Sequence, residues 1–246
     1  MQVEKILHKF PEKARLADKY LVREWVAEKI GEEYLVPLCG KGVYDNPKEI
    51  DFDALPVSFV IKTNAGSGDA VIVRNKAALS SKDIRRIIAK LRYGLQFNYA
   101  WVGYEMHYAD IQPKVLVEQF IECDEEDLPD YKFLCFDGKP VYCWVDKGRF
   151  HEHKRNVYDL DWNLQSWNQK NYGNYPGIIE KPQNFEKMTE IAATLAQGFQ
   201  HVRVDLYNIH GRILFGEMTF TNGSGFEPII PAEADYELGK LWNLQL

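Results

Sequence analysis

The stretch that most constrains this chain runs Phe59-Val-Ile-Lys62-Thr-Asn-Ala-Gly66-Ser67-Gly68-Asp-Ala-Val-Ile-Val73. Two apolar segments of strand length flank a loop of small residues, and the first segment ends in a lysine. Gly66, Ser67 and Gly68 leave their backbone N–H groups unobstructed, so the loop can fold over a polyphosphate while Lys62 neutralises it. The plain reading is a β-hairpin with an exposed lysine, and it is the segments downstream that favour the phosphate reading.

The 246 residues fit one large domain or two small ones, and 46% apolar content with 13% aromatics supplies a sizeable core. A net charge of -6 argues against a nucleic-acid surface. An acidic chain that handles anions must gather its Lys and Arg locally. Cys39, Cys123, Cys135 and Cys143 lack zinc-ligand or disulfide-framework spacing, and are expected as buried reduced thiols. The start has no apolar signal core, and no apolar run reaches the roughly 18 residues of a membrane helix. The expectation is a soluble cytoplasmic protein with no membrane span.

In chain order, Leu16, Tyr20, Ala27 and Ile30 fall on one stripe and predict a helix over 14–30 that carries Lys19 and Arg23 on one face. Residues 34–38 read as a short strand before a turn-rich segment. Ser80-Ser-Lys-Asp83 is an N-cap signal opening a helix that Gly94 stops. The aromatic segment 95–113 has no clean period. Residues 114–122 read as a buried strand entering an acidic linker, 123–129. Asp137-Gly138 joins two strands in a hairpin. The polar, aromatic stretch 146–177 is read as an irregular binding loop. Residues 184–197 form an amphipathic helix, and 201–219 a final hairpin. The expected segments are 1–56, 57–122 with Lys62 and its loop, and 123–246.

Alternation places Arg203 and Asp205 on one face of their strand and Glu217 and Thr219 on one face of the next. Paired across the hairpin, the two carboxylates repel unless a cation lies between them. Mg²⁺ is held by one or two carboxylates together with substrate phosphates; the alternative is a salt-bridged hairpin in which Arg203 pairs with Asp205 or Glu217.

Taken in order, the segments Asp18-Lys-Tyr-Leu-Val-Arg23, Gly31-Glu-Glu-Tyr-Leu-Val-Pro-Leu38, Ile50-Asp-Phe-Asp-Ala-Leu-Pro56, the Lys62 strand with its loop, and Phe215-Gly-Glu217-Met-Thr-Phe-Thr221 resemble the ATP-grasp superfamily, most closely its teichuronopeptide-biosynthesis (TupA-like) branch. The resemblance implies an α+β fold of two lobes with antiparallel sheets that hold ATP between them, with the usual N-terminal domain truncated. It implies that Arg23 and Lys62 hold the nucleotide phosphates, that Gly66, Ser67 and Gly68 close over them, that the backbone of Glu118, Gln119, Phe120 and Ile121 reads the adenine edge, and that Asp130 lies near the ribose. Asp205 and Glu217 match the magnesium ligands, with Arg203 beside the transferred phosphate. The superfamily usually has Asn where this chain has Thr219, so Thr219 or Asn222 completes the metal site.

The implied activity is an ATP- and Mg²⁺-dependent carboxylate–amine ligase. Its expected substrates are a small-molecule or saccharide carboxylate, such as a uronic acid of a surface (capsular) polysaccharide, and an amine. Arg149, His151, His153, Lys154 and Arg155 form a basic cluster expected on the acceptor loop, with the Arg149 and Arg155 forks gripping carboxylate or phosphate. Two alternatives stand beside it: a small-molecule or sugar kinase, and a non-catalytic nucleotide- or glycan-binding module. Kinases place the glycine-rich loop before the strand lysine, the reverse of the order here.

Overall fold

The computed structural model describes residues 1–7, 11–66, 68–124, 128–148 and 152–243. It forms two compact units, one of residues 1–25 with 35–121 and the other of residues 26–34 with 122–246.

The first unit begins with helices α1 (Gln2–Leu7), α2 (Pro11–Ala17) and the start of α3 (Val22–Lys29). The sequence periodicity predicts one helix over 14–30, but Asp18 breaks it. Its Oδ1 accepts from the backbone N–H groups of Tyr20 and Leu21, which competes with the helical ladder. Lys19 therefore falls in the break and does not share a helix face with Arg23. Strand β1 runs Leu38–Tyr44, not over the expected 34–38. Gly40 and Gly42 sit at φ +60° and +79°, so the glycines lie inside an irregular strand where a turn was expected.

Strands β2 (Phe59–Thr63), β3 (Val71–Val73) and β4 (Val115–Gln119) complete an antiparallel sheet ordered β1-β4-β2-β3. Phe59 and Ile61 point to one face, where Ile87 and Leu91 of α4 (Ser81–Gln96) meet them. Ser80 and Asp83 form the expected capping box at the start of α4. The unassigned aromatic segment contains α5 (Ala100–Gly103) and a short 3-10 turn. Because side chains alternate, Val60 and Lys62 face away from this core.

The second unit is built on an antiparallel sheet ordered β10-β9-β5-β6-β7, formed by β5 (Asp130–Phe136), β6 (Lys139–Lys147), β7 (Lys154–Asp159), β9 (His201–Ile209) and β10 (Arg212–Thr219). A minor pair joins β8 (Asn168–Gln169) to β11 (Ile229–Ile230). One face carries Phe133, Val204 and Cys135 and is covered by α6 (Phe185–Ala196), whose Phe185 ring stacks on Phe133 at 5.5 Å. Full burial of one such aromatic contributes about 1.5–3 kcal/mol. On the other face Leu134, Trp144 and Val157 form a smaller core with Leu238 of α7 (Ala232–Lys240), and the rest of that face is charged.

The expected irregular loop over 146–177 is corrected at its start, since β6 continues to Lys147 and β7 pairs with it. Polar Arg155 and Asn156 read as loop residues, yet both are buried in the strand because both have internal partners. Cys135 and Cys143 are buried thiols, raised above the ordinary range by burial, while Cys39 and Cys123 are half-buried; none forms a disulfide. Among the described residues no helix is long and apolar enough to cross a membrane.

Candidate functional sites

In the first unit Lys62 lies on β2, on the sheet face opposite the α4 core. Register sets Val60 against Glu118, so Glu118 lies on the Lys62 face, and the Lys62 Nζ reaches the Glu118 Oε2 at 2.6 Å. The Arg23 guanidinium from α3 lies 4.0 Å from the other Glu118 oxygen. Burial lowers the pKa of Arg23 and Glu118 opposes that shift. Two cations thus converge on one carboxylate and leave one positive charge over, a net attraction for an anion.

The loop after Lys62 is anchored at its base. Asp69 accepts the Thr63 backbone N–H at 3.1 Å, and the Lys19 Nζ donates to the Gly66 carbonyl at 2.6 Å. Gly66 sits at φ +124°, and a Cβ there would lie 2.2 Å from the Tyr99 ring. Only glycine fits that position. Gly68 is also at positive φ but has open space around it. Ser67 lies outside the described residues.

Glu118 and Gln119 belong to β4, an inner strand of the sheet, and the Gln119 N–H donates to the Pro37 carbonyl at 2.8 Å. Their backbone is therefore committed to the sheet rather than to a linker, and Phe120 and Ile121 are the first residues past the strand. The Phe120 ring lies 5.0 Å below the Arg74 guanidinium.

In the second unit the hairpin sets Glu217 opposite Asp205 and Thr219 opposite Arg203, the cross-strand arrangement that alternation predicts. A bulge between Phe215 and Glu217 makes this register. Gly216 permits it, because a Cβ there would lie 3.0 Å from the Asp205 carbonyl. Arg203 forks onto Asp205 through Nε at 2.6 Å and Nη2 at 2.8 Å, and Nη2 also reaches Glu217 at 2.8 Å. Nη1 donates to the Asn222 Oδ1 at 2.9 Å, while the Thr219 hydroxyl donates to Glu217 at 3.2 Å. Both candidates for the last metal ligand therefore stand beside this group.

The neighbouring strand adds a residue that sequence reasoning passed over. Lys132 on β5 is in register with Asp205, donates to its Oδ2 at 2.7 Å, and also pairs with Asp130. Burial alone would lower the Lys132 pKa, but Asp130 and Asp205 outweigh it and hold it above the ordinary value. Burial likewise opposes the Arg203 charge, yet Asp205 and Glu217 raise its pKa further. The sequence holds the D-x-K of Asp130-Tyr-Lys132 and the R-x-D of Arg203-Val-Asp205, but only the pairing of β5 with β9 brings the two together. Asp130, the residue implied to lie near the ribose, is buried and engaged by Lys132 inside the sheet.

The row Asp130, Lys132, Asp205, Arg203, Glu217 holds three carboxylates and two cations, and so retains one negative charge. Asp205 is 2% exposed and both its oxygens accept from cations, whereas the Glu217 side chain is 37% exposed. Glu217 can thus take a divalent cation without disturbing the buried row, with Thr219 or Asn222 beside it. Among the described residues no three acidic, His or Cys side chains form a metal cage. The donor set fits Mg²⁺, which uses few protein carboxylates and completes its shell with phosphate oxygens and water.

Arg155 lies on β7 rather than on a loop. Its Nε and Nη2 bind the two Asp146 oxygens at 2.6 and 2.9 Å, and its guanidinium lies 4.5 Å from the Trp144 ring and 4.0 Å from the Tyr172 ring. Burial would raise the Asp146 pKa, but hydrogen bonds from His153 and Arg155 hold it well below the usual carboxylate range. The fork expected to grip a substrate is filled by an internal carboxylate. Lys154 is the first residue of the same strand, and Arg149 and His151 lie outside the described residues.

Two antiparallel α+β units, one presenting Lys62 before a glycine-rich loop and one carrying paired carboxylates on a hairpin, define the fold of ATP-grasp ligases. Two solved structures of D-alanine–D-alanine ligase from Bacillus anthracis superpose on the chain, both at 15% identity. The first has a TM-score of 0.50, with 92% of this chain and 65% of that one covered; the ATP complex has 0.51, with 93% and 63%. The chain spans about two thirds or less of their length. A family model described as TupA-like ATP-grasp matches residues 1–243, so this chain belongs to the TupA-like ATP-grasp family. No curated protein matches it.

Proposed function

We propose that this protein is a cytoplasmic, ATP- and Mg²⁺-dependent carboxylate–amine ligase that joins an amino acid to a uronic-acid carboxylate of a surface polysaccharide. The observation that carries this reading is the hairpin register that sets Glu217 opposite Asp205 with Arg203 forked between them. Family membership supports the ATP-dependent ligase class, and the sequence resemblance supports the saccharide acceptor.

In the reaction an acceptor carboxylate oxygen attacks the γ-phosphorus and ADP leaves, giving an acyl phosphate. The amine nitrogen then attacks the acyl carbon, phosphate leaves, and the nitrogen loses a proton. Lys62 and Arg23 would release Glu118 to bind the nucleotide phosphates, since one positive charge already exceeds the local negative charge. Arg203 would turn Nη1 or Nη2 toward the transferred phosphate. Lys132 and Asp205 hold Arg203 in place and make no contact with substrate. Glu217, with Thr219 or Asn222 beside it, would hold magnesium, which would supply charge neutralisation at the transferring group.

The test is ADP release from the purified chain with ATP, Mg²⁺ and pools of uronic acids and amino acids. ADP that forms only when both partners are present, together with an amide product by mass, is expected. ADP with a phosphorylated sugar and no amine requirement overturns the ligase reading.

A further inference from the structure

Helix α1 is built inside out. Glu4 and Lys5 are buried at 6% and 3% exposure, with Glu4 paired to Lys13 and the Lys5 Nζ donating to the Gly103 carbonyl at 2.6 Å. Its apolar residues Ile6 and Leu7 face outward, Leu7 at 70%. A short helix that buries its charges and exposes its aliphatics presents an apolar surface to something outside the described structure.

The buried Lys5–Gly103 bond ties α1 to α5 from the inner side, and at α5 and just past its end Trp101, Val102 and Tyr104 are all exposed, Trp101 at 67%. From there an aromatic path leads back to α4. The Tyr99 and Phe97 rings lie 5.0 Å apart, and Phe97 and Tyr93 6.2 Å apart. Tyr93 stands on the outer face of α4 among Lys82, Arg85, Arg86, Lys90 and Arg92, all exposed. This helix carries five cations against Asp83, in a chain whose net charge is -6. Arg86 is 3.5 Å from Asp83 and the Lys90 Nζ donates to the Ala70 carbonyl.

We propose that α4, α5 and α1 of the first unit form a docking face for an anionic lipid bilayer, with the α4 cations over the headgroups and Trp101, Val102 and Leu7 entering the interface. Trp and Tyr at the boundary, aliphatics beyond them and a polybasic helix face beside them are the chemistry of peripheral membrane attachment. A second copy fits less well, since a two-fold pairing through this face would bring the same five cations toward one another. A soluble acidic glycan would use the cations and the aromatic faces but leave Ile6, Leu7 and Val102 in water. The proposal is independent of the ligase reading, because neither Lys62 nor the carboxylate hairpin takes part in it.

The test is cosedimentation of the full chain with phosphatidylcholine vesicles, with and without phosphatidylglycerol, at low and high salt. Binding is expected only with phosphatidylglycerol, falling as salt rises. Arg85→Glu with Arg86→Glu should weaken it by at least about tenfold, since each surface cation contributes severalfold. Trp101→Ser with Val102→Ser should weaken it by about tenfold, from lost apolar burial. Quenching of tryptophan fluorescence by brominated lipid should be reduced in Trp101→Phe. No binding to the anionic vesicles at low salt overturns the proposal, as does binding that both double variants retain. Self-association abolished by Trp101→Ser with Val102→Ser, without vesicle binding, would assign the face to a second copy. Retention on alginate without vesicle binding would assign it to an acidic glycan.

Discussion

Replacing Asp205 by asparagine keeps the side chain's size and removes its charge. In the folded protein that charge faces the Arg203 fork at 2.6 and 2.8 Å and the Lys132 Nζ at 2.7 Å, at a position 2% exposed. Removing one partner from a buried ion pair costs about 3–5 kcal/mol, because the other charge stays buried. Here Arg203 keeps Glu217 and Lys132 keeps Asp130, so the cost belongs at the lower end, about 3 kcal/mol. For a chain of this size that corresponds to a fall in Tm of about 6–12 °C. Glu217→Gln, at the exposed end of the row, should cost less than about 1 kcal/mol. Its effect should appear instead as a raised Mg²⁺ requirement. Thermal unfolding of both variants by circular dichroism, without nucleotide, compares the two. A Tm for Asp205→Asn within about 2 °C of wild type would refute the buried-row account.

Other residues give separable outcomes. Burial, aided by Lys13, lowers the His107 pKa from 6.5 to about 4, so the unfolded chain binds more protons between those values. Stability should therefore fall as pH drops from 6.5 toward 4, by about 3 kcal/mol from this group, and His107→Gln should flatten that part of the urea-midpoint profile. Gly66→Ala should weaken ATP binding at least about tenfold, measured by calorimetry, since its Cβ meets Tyr99 at 2.2 Å on a left-handed backbone; unchanged affinity would remove the loop from the site. Arg155→Lys should lower stability by about 2 kcal/mol, because the fork on Asp146 and the stacking on Trp144 and Tyr172 are lost, while the acceptor KM is unchanged. A raised KM with unchanged unfolding would place Arg155 against substrate after all.

The hairpin that carries Arg203, Asp205 and Glu217 was legible because its strands alternate cleanly and period two fixes which residues share a face. The capping box of Ser80 and Asp83 was legible for the same local reason. Lys132 was not, because its role depends on β5 lying beside β9, a pairing between segments far apart in sequence. Arg155 misled for a related reason: a buried arginine looks like an exposed one until its carboxylate is found across the strand pair. The break at Asp18 was hidden because the apolar stripe continues through it. The inverted α1 could not be read from pattern at all, since alternation and helical period both assume that apolar residues face inward.

The central claim, that a carboxylate is activated by phosphoryl transfer before an amine displaces phosphate, is tested most directly with an acceptor whose carboxylate oxygens are labelled with oxygen-18. During turnover with ATP, Mg²⁺ and the amine, one labelled oxygen should appear in the released phosphate, and Lys62→Ala should suppress both label transfer and ADP formation. Amide formed with unlabelled phosphate, or ADP released without an amine and with all label kept in the acceptor, would contradict the account.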